Sequence, residues 1–146
     1  MKRGYFGIGV YQPKTEANIG TLWRSAHCFG ANFIFVVGRR YRKQPSDTTN
    51  ALLHVPLFEF PTLEDMEVHK PVNCPTICIE ISSKTRDLKT IIHPERAIYI
   101  LGAEDYGLPE EFLRGRQVIQ VEGAKYCLNV AVAGSIVMWD RYVKSL

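Results

Sequence analysis

The chain has 146 residues, enough for one domain with a substantial core. At 46% hydrophobic and 23% charged residues it is neither disordered nor fibrous, and its longest uncharged apolar stretch, Cys127 to Trp139, is too short to cross a bilayer. The net charge of +3 is mild, so any affinity for a polyanion has to rest on where the cations cluster rather than on their total.

Met1-Lys2-Arg3 is not followed by the apolar core of a signal peptide, which points to an intracellular, cytosolic protein with no membrane partner. Tyr5 to Tyr11 is expected to be a buried strand. It contains Gly7-Ile8-Gly9, but Gln12 stands where a dinucleotide-binding turn needs its third glycine, and that reading is rejected. A helix is predicted over 18–29, where Ile19, Leu22, Trp23, Ala26 and Phe29 recur at helical spacing. Asn18 and Arg24 fall off this stripe; taken alone, Asn18 is a helix-capping asparagine and Arg24 an ordinary surface arginine. Phe33 to Val37 is the next strand, and Arg39-Arg40-Tyr41-Arg42-Lys43 follows it directly. Four cations around one tyrosine suit phosphates and a stacked base, with a solvated loop as the alternative. Lys14, Arg114, Arg116 and Lys125 would extend such a patch.

Leu57 to Phe60 is a further short strand, 62–68 a helix, and Thr76 to Ile81 a strand. Cys28, Cys74, Cys78 and Cys127 show no zinc spacing and are expected to be reduced, buried thiols. His27, His54, His69 and His93 are scattered without ligand spacing, so no metal site is expected. The strand Ala97 to Leu101 runs into Gly102-Ala103-Glu104-Asp105-Tyr106-Gly107-Leu108-Pro109. Open α/β sheets bind ligands at such strand ends, where Gly102 would admit a ligand to the backbone and Pro109 opens a helix over 109–114. An ordinary strand-to-helix turn is the alternative. Val118 to Val121 is the last strand, and Cys127-Leu128-Asn129 leads into a helix over 128–144. That helix is apolar nearly all round, through Ala131, Ile136, Val137, Trp139, Tyr142 and Val143, which points to a subunit interface or to plain core packing. Strands alternating with helices make the chain α/β, a single domain over residues 1–146.

Three segments combine into a pattern: Asn18, Gly20 and Arg24 as N-x-G-x-x-x-R; Gly102, Glu104, Gly107 and Leu108 as G-x-E-x-x-G-L; and Cys127-Leu128-Asn129. In this order, over nearly the whole chain, they resemble the SpoU class of the SPOUT superfamily, RNA ribose 2′-O-methyltransferases that use S-adenosylmethionine. The length is most similar to members without an added RNA-binding domain, among them the tRNA wobble-position methyltransferases. The resemblance implies a parallel sheet with flanking helices, a C-terminal trefoil knot, and a homodimer that brings motifs of two subunits together. It also implies that Leu101, Gly102, Ile119, Val121, Cys127 and Leu128 face the cofactor, with Ile81 at a strand end as an addition. Catalysis would fall to Arg24, with Asn18, Glu104 and Asn129 fixing its guanidinium and the ribose, and Glu104 as its charged partner.

A ribose hydroxyl is a poor nucleophile until its proton is being lost, so the developing alkoxide has to be stabilised. Arginine is essentially never deprotonated, so orientation and electrostatic stabilisation suit Arg24 better than a general-base role. Cys127 stands where the family has serine, and Gln120-Val121 where it has proline-methionine. A thiol is the weaker hydrogen-bond donor, which leaves open a binding module with weakened catalysis. With no activating histidine nearby in sequence, Cys127 is not read as a nucleophile. The expected substrate is tRNA, then rRNA; base methylation is disfavoured by the form of the first motif.

Overall fold

The computed structural model describes residues 4–42, 51–80, 85–121 and 128–146. Lys43, Ile81, Lys125 and Cys127 lie outside the described residues. Seven strands form one sheet: β1 (Tyr5–Tyr11), β2 (Phe33–Val37), β3 (Leu57–Phe60), β4 (Thr76–Ile79), β5 (Arg86–Asp87), β6 (Arg96–Leu101) and β7 (Gln117–Gln120), in the order β3-β2-β1-β6-β4-β7-β5. Every neighbouring pair is parallel, with Ile8 registered on both Ile34 and Tyr99 at the centre.

A parallel sheet has to be covered on both faces, and the alternation of side chains divides the core accordingly. Ile8, Val10, Ile34, Val36, Tyr99 and Leu101 pack on one face beneath α1 (Glu16–Phe29) and α5 (Val130–Lys144). Phe33, Phe35, Val37, Ile98 and Ile100 pack on the other beneath α3 (Leu63–His69) and α4 (Glu110–Leu113). The predicted stripe holds in α1: Ile19, Leu22, Trp23 and Ala26 are buried, and Phe29 is partly buried against them.

Several elements depart from expectation. Thr15, not Asn18, caps α1: its hydroxyl accepts from the Asn18 amide at 3.4 Å, so the helix starts at Glu16 and Asn18 sits in its first turn with its side chain free for other work. Strand β4 ends at Ile79, which puts Glu80 at the sheet's carboxyl edge rather than inside a strand. Helix α2 (Ala51–His54) and strand β5 are too short, at 4 and 2 residues, for their periodicity to show. Helix α5 buries Val130, Ala131, Ala133, Gly134, Val137, Met138 and Arg141, but leaves Val132, Trp139, Tyr142 and Val143 exposed. Among the described residues it is therefore covered on one side, not on several. Among the described residues, no helix is long and apolar enough to cross a membrane.

Candidate active site

Strands β4, β6 and β7 lie side by side and end together, and a cleft opens at their carboxyl ends. Ile79, Leu101, Val121, Leu128, Val130 and Ala133 give it an apolar lining, while Glu80, Gly102, Ala103, Glu104 and Gln120 add the polar and backbone surface. Its cavity volume is ≈ 80 Å³, so a nucleoside-sized ligand would occupy an open trough rather than a closed chamber. Of the residues expected to face a cofactor, Leu101, Gly102, Val121 and Leu128 line this cleft. Ile119 does not: it registers with Ile79 on the same face of the sheet, but its side chain is fully buried in the core, and its neighbours Gln120 and Val121 reach the cleft instead. Gly102 is crowded from within the chain, since a Cβ there would lie 2.8 Å from the Gly107 Cα, so the turn itself requires this glycine.

Beyond Gly102 the chain turns back on itself. Ala103 and Gly107 exchange backbone hydrogen bonds of 3.3 and 2.8 Å, and Gly107 adopts φ +68°. Glu104, at the tip, both lines the cleft and accepts a short hydrogen bond from Asn18 Nδ2. Asn18 Oδ1 in turn accepts from Asn129 Nδ2 at 2.9 Å. Asn129 is the N-cap of α5, its Oδ1 accepting from the amides of Ala131 at 2.9 Å and Val132 at 3.2 Å. Three residues from three distant segments thus form one hydrogen-bonded chain at the mouth of the cleft.

Arg24 does not join it. Six residues beyond Asn18 on the same helix, it projects about 120° away and roughly 9 Å further along the axis. It is exposed and, among the described residues, makes no hydrogen bond or ion pair, so the expected Glu104–Arg24 pairing is absent within the chain. Glu104 is satisfied by Asn18 instead.

The basic segment is partly committed to structure. Arg39 donates to the carbonyls of Pro13 at 2.7 Å and Lys14 at 2.6 Å and lies 3.6 Å from Glu16, clamping the approach to α1. The Tyr41 and Trp23 rings meet edge to face, with centroids 5.5 Å apart. The Arg42 amide donates to Glu16 at 3.0 Å. Arg40 is open, its side chain 93% exposed and 3.9 Å from Glu59. Lys14 pairs with Asp105 at 3.2 Å, and Arg116 with Glu67 at 3.3 Å. Among the described residues, no group of three or more His, Cys, Asp or Glu is placed to hold a metal ion.

Sequence reasoning missed Ile79, Glu80, Ala103, Gln120, Val130 and Ala133 in the lining. Glu80 carried a usable signal, an acid closing an apolar strand as Glu104 follows another. Extending that strand to Ile81 concealed it. Cys74 and Cys78 are buried as expected, but Cys28 is exposed because it falls off the α1 stripe. Burial pushes the Cys78 thiol up to about 12.

The SpoU rRNA Methylase family model matches residues 6–139. The mouse (Mus musculus) tRNA (guanosine(18)-2′-O)-methyltransferase TARBP1 is 27% identical over 133 residues, 84% of this chain and 8% of that protein. An AdoMet-bound rRNA methyltransferase from Sinorhizobium meliloti superposes with TM-score 0.83 at 22% identity, over 98% of this chain and 57% of that one. A chain solved in work on the 2-OH methylation of C/U34 on tRNA gives TM-score 0.80 at 22% identity, over 98% of this chain and 97% of its own. The chain therefore spans under a tenth of the mouse relative and about half of the S. meliloti protein.

Proposed function

Because the chain belongs to the SpoU rRNA methylase family, we propose that it is an S-adenosylmethionine-dependent RNA methyltransferase acting on a ribose 2′-hydroxyl, with tRNA the favoured substrate. The observation that carries this reading is the continuity of two parts: Glu104 lines the strand-end cleft and also holds Asn18, which holds Asn129. A cofactor site and a polar site for a second substrate adjoin at one carboxylate. The mouse relative and the C/U34 structure, both tied to tRNA ribose methylation by their descriptions, favour tRNA over rRNA.

The cleft fits the cofactor, since its apolar walls adjoin the Gly102–Ala103 backbone and suit an adenosine. Leu101, Gly102, Val121 and Leu128 would hold it, with Ile79 and Gln120 beside them. When bound, S-adenosylmethionine supplies a methyl group activated on a sulfonium. The protein's task is to orient the ribose hydroxyl and stabilise charge as its proton departs. The Asn18–Asn129 pair and Glu104 form the orienting surface, and Arg24, with a permanent positive charge, stabilises the developing alkoxide.

Arg24 points away from its own Glu104, and the exposed apolar face of α5, with Trp139 at 53% and Val132 at 47% exposure, has no cover among the described residues. Both features support a homodimer in which Arg24 of one protomer serves the cleft of its partner. The C-terminal trefoil knot and a cytosolic location belong to the same proposal. Incubating the protein with S-adenosylmethionine and bulk tRNA, then analysing nucleosides, is expected to yield a 2′-O-methylated nucleoside. Methyl transfer to a base would overturn the ribose reading, and cofactor binding without turnover on any RNA would establish the binding-module alternative.

A further inference from the structure

Glu80 follows the last residue of β4 and lines the cleft, although no motif of the sequence includes it. Its backbone amide donates to the Ile119 carbonyl at 3.0 Å, which continues the β4–β7 ladder by one residue and fixes where the side chain begins. From there the carboxylate reaches across β6 to the turn after it. Oε2 accepts from the Leu108 amide at 2.8 Å. A Cβ on Gly102 would lie 2.5 Å from that same oxygen, and one on Gly107 only 2.2 Å from it. The two glycines of the second motif therefore border a space that the Glu80 carboxylate fills, and the amide of the motif's leucine is bonded to it.

We propose that Glu80 is a positioning residue for the cofactor site: its carboxylate holds the Gly102–Leu108 turn in the shape that presents Leu101, Gly102 and Ala103 to the cleft. A turn of two glycines has many backbone conformations open to it, and a hydrogen bond to the Leu108 amide at one end with a filled volume beneath selects one of them. That preorganisation appears as cofactor affinity, because a turn already in place costs no ordering on binding. The same turn carries Glu104, so Glu80 also sets where the Asn18–Asn129 chain meets the cleft. This inference rests on the reading of the cleft as an S-adenosylmethionine site.

The test compares Glu80→Ala, Glu80→Gln and Glu80→Asp by calorimetric titration with S-adenosylmethionine and S-adenosylhomocysteine. It adds amide exchange at Leu108 and steady-state methyl transfer. Glu80→Ala is expected to weaken both ligands by roughly tenfold or more and to lose protection at Leu108. In turnover the loss should fall on KM for the cofactor rather than on kcat. Glu80→Gln keeps an acceptor oxygen of the same reach and should recover most of the affinity, whereas Glu80→Asp keeps the charge but not the reach and should resemble the alanine variant. Wild-type affinity in a folded Glu80→Ala or Glu80→Asp protein would overturn the proposal. So would Glu80→Gln binding as poorly as Glu80→Ala, since charge rather than the hydrogen bond to Leu108 would then be what matters. Absence of binding by the unmodified protein would instead remove the cofactor reading itself.

Discussion

Asn129 Nδ2 donates to Asn18 Oδ1 at 2.9 Å although 111 residues separate them, and through this bond the cap of α5 meets the first turn of α1. Both ends of the Asn129 amide are engaged, since its Oδ1 receives the Ala131 and Val132 amides. Asn18 cannot turn its amide over without losing Glu104, to which its Nδ2 is committed. Asn129→Ala should therefore lose both the cap, about 1 kcal/mol of stability, and methyl transfer. Asn129→Asp should retain the stability, because a carboxylate still caps the helix, but not the activity, because it sets an acceptor against an acceptor. Thermal melts beside transfer rates check both; an active Asn129→Asp protein would show that this bond is dispensable.

Arg24→Ala should reduce methyl transfer by roughly 10²–10³ with little change in cofactor affinity, as one charge is lost at the reacting oxygen. If Arg24 serves the partner's cleft, mixing inactive Arg24→Ala with inactive Gly102→Trp should restore about a quarter of wild-type activity at random reassortment. Sedimentation of the same mixture reports whether dimers form. A dimeric but inactive mixture would place Arg24 in its own protomer's site.

Arg39 and Arg40 adjoin in sequence but should behave differently. Arg40→Ala is expected to weaken RNA binding and lower the salt slope by about one unit, with stability unchanged. Arg39→Ala should lower the melting temperature, because two carbonyls at the entry to α1 lose their donor. Equal salt slopes for wild type and Arg40→Ala would return this arginine to the role of a solvated side chain.

Alkylation of the native protein at pH 8, read by peptide mass, should modify the exposed Cys28 and spare Cys78, whose thiol burial pushes up to about 12. Only denaturation should open Cys78. Modification of Cys78 at the Cys28 rate would contradict the packing of β4.

Beneath α5, His93 bridges Tyr99 and Asp140, at 2.7 Å each, and Lys144 and Arg141 complete its charged surroundings. Burial lowers the His93 pKa from 6.5, against the pull of Asp140. The unfolded chain then binds the proton more readily than the folded one. This stability is fully present above pH 6.5 and is lost as the pH falls below that value toward the folded pKa. His93→Gln should flatten the pH dependence of unfolding in that window. An unchanged slope would assign the dependence to other groups.

Local pattern alone determined most of the elements, whereas the candidate site became legible only through the resemblance of three motifs taken together. The strands Tyr5–Tyr11 and Phe33–Val37 could be bounded from sequence because continuous apolar runs stop at polar or turn residues, and Leu57–Phe60 because Pro56 and Pro61 flank it. The α1 stripe was equally legible, since burial on one face leaves a period that survives without coordinates. Asn18, Glu104 and Asn129 could be named from three motifs, yet only the parallel sheet, by crossing β6 between β1 and β4, decided that they bond to one another. Tertiary structure also separated Arg24 from them, buried Ile119 while Gln120 reached the cleft, and placed Glu80 beneath two glycines. None of these leaves a periodic trace, because each depends on where chain segments far apart in sequence come to rest against one another.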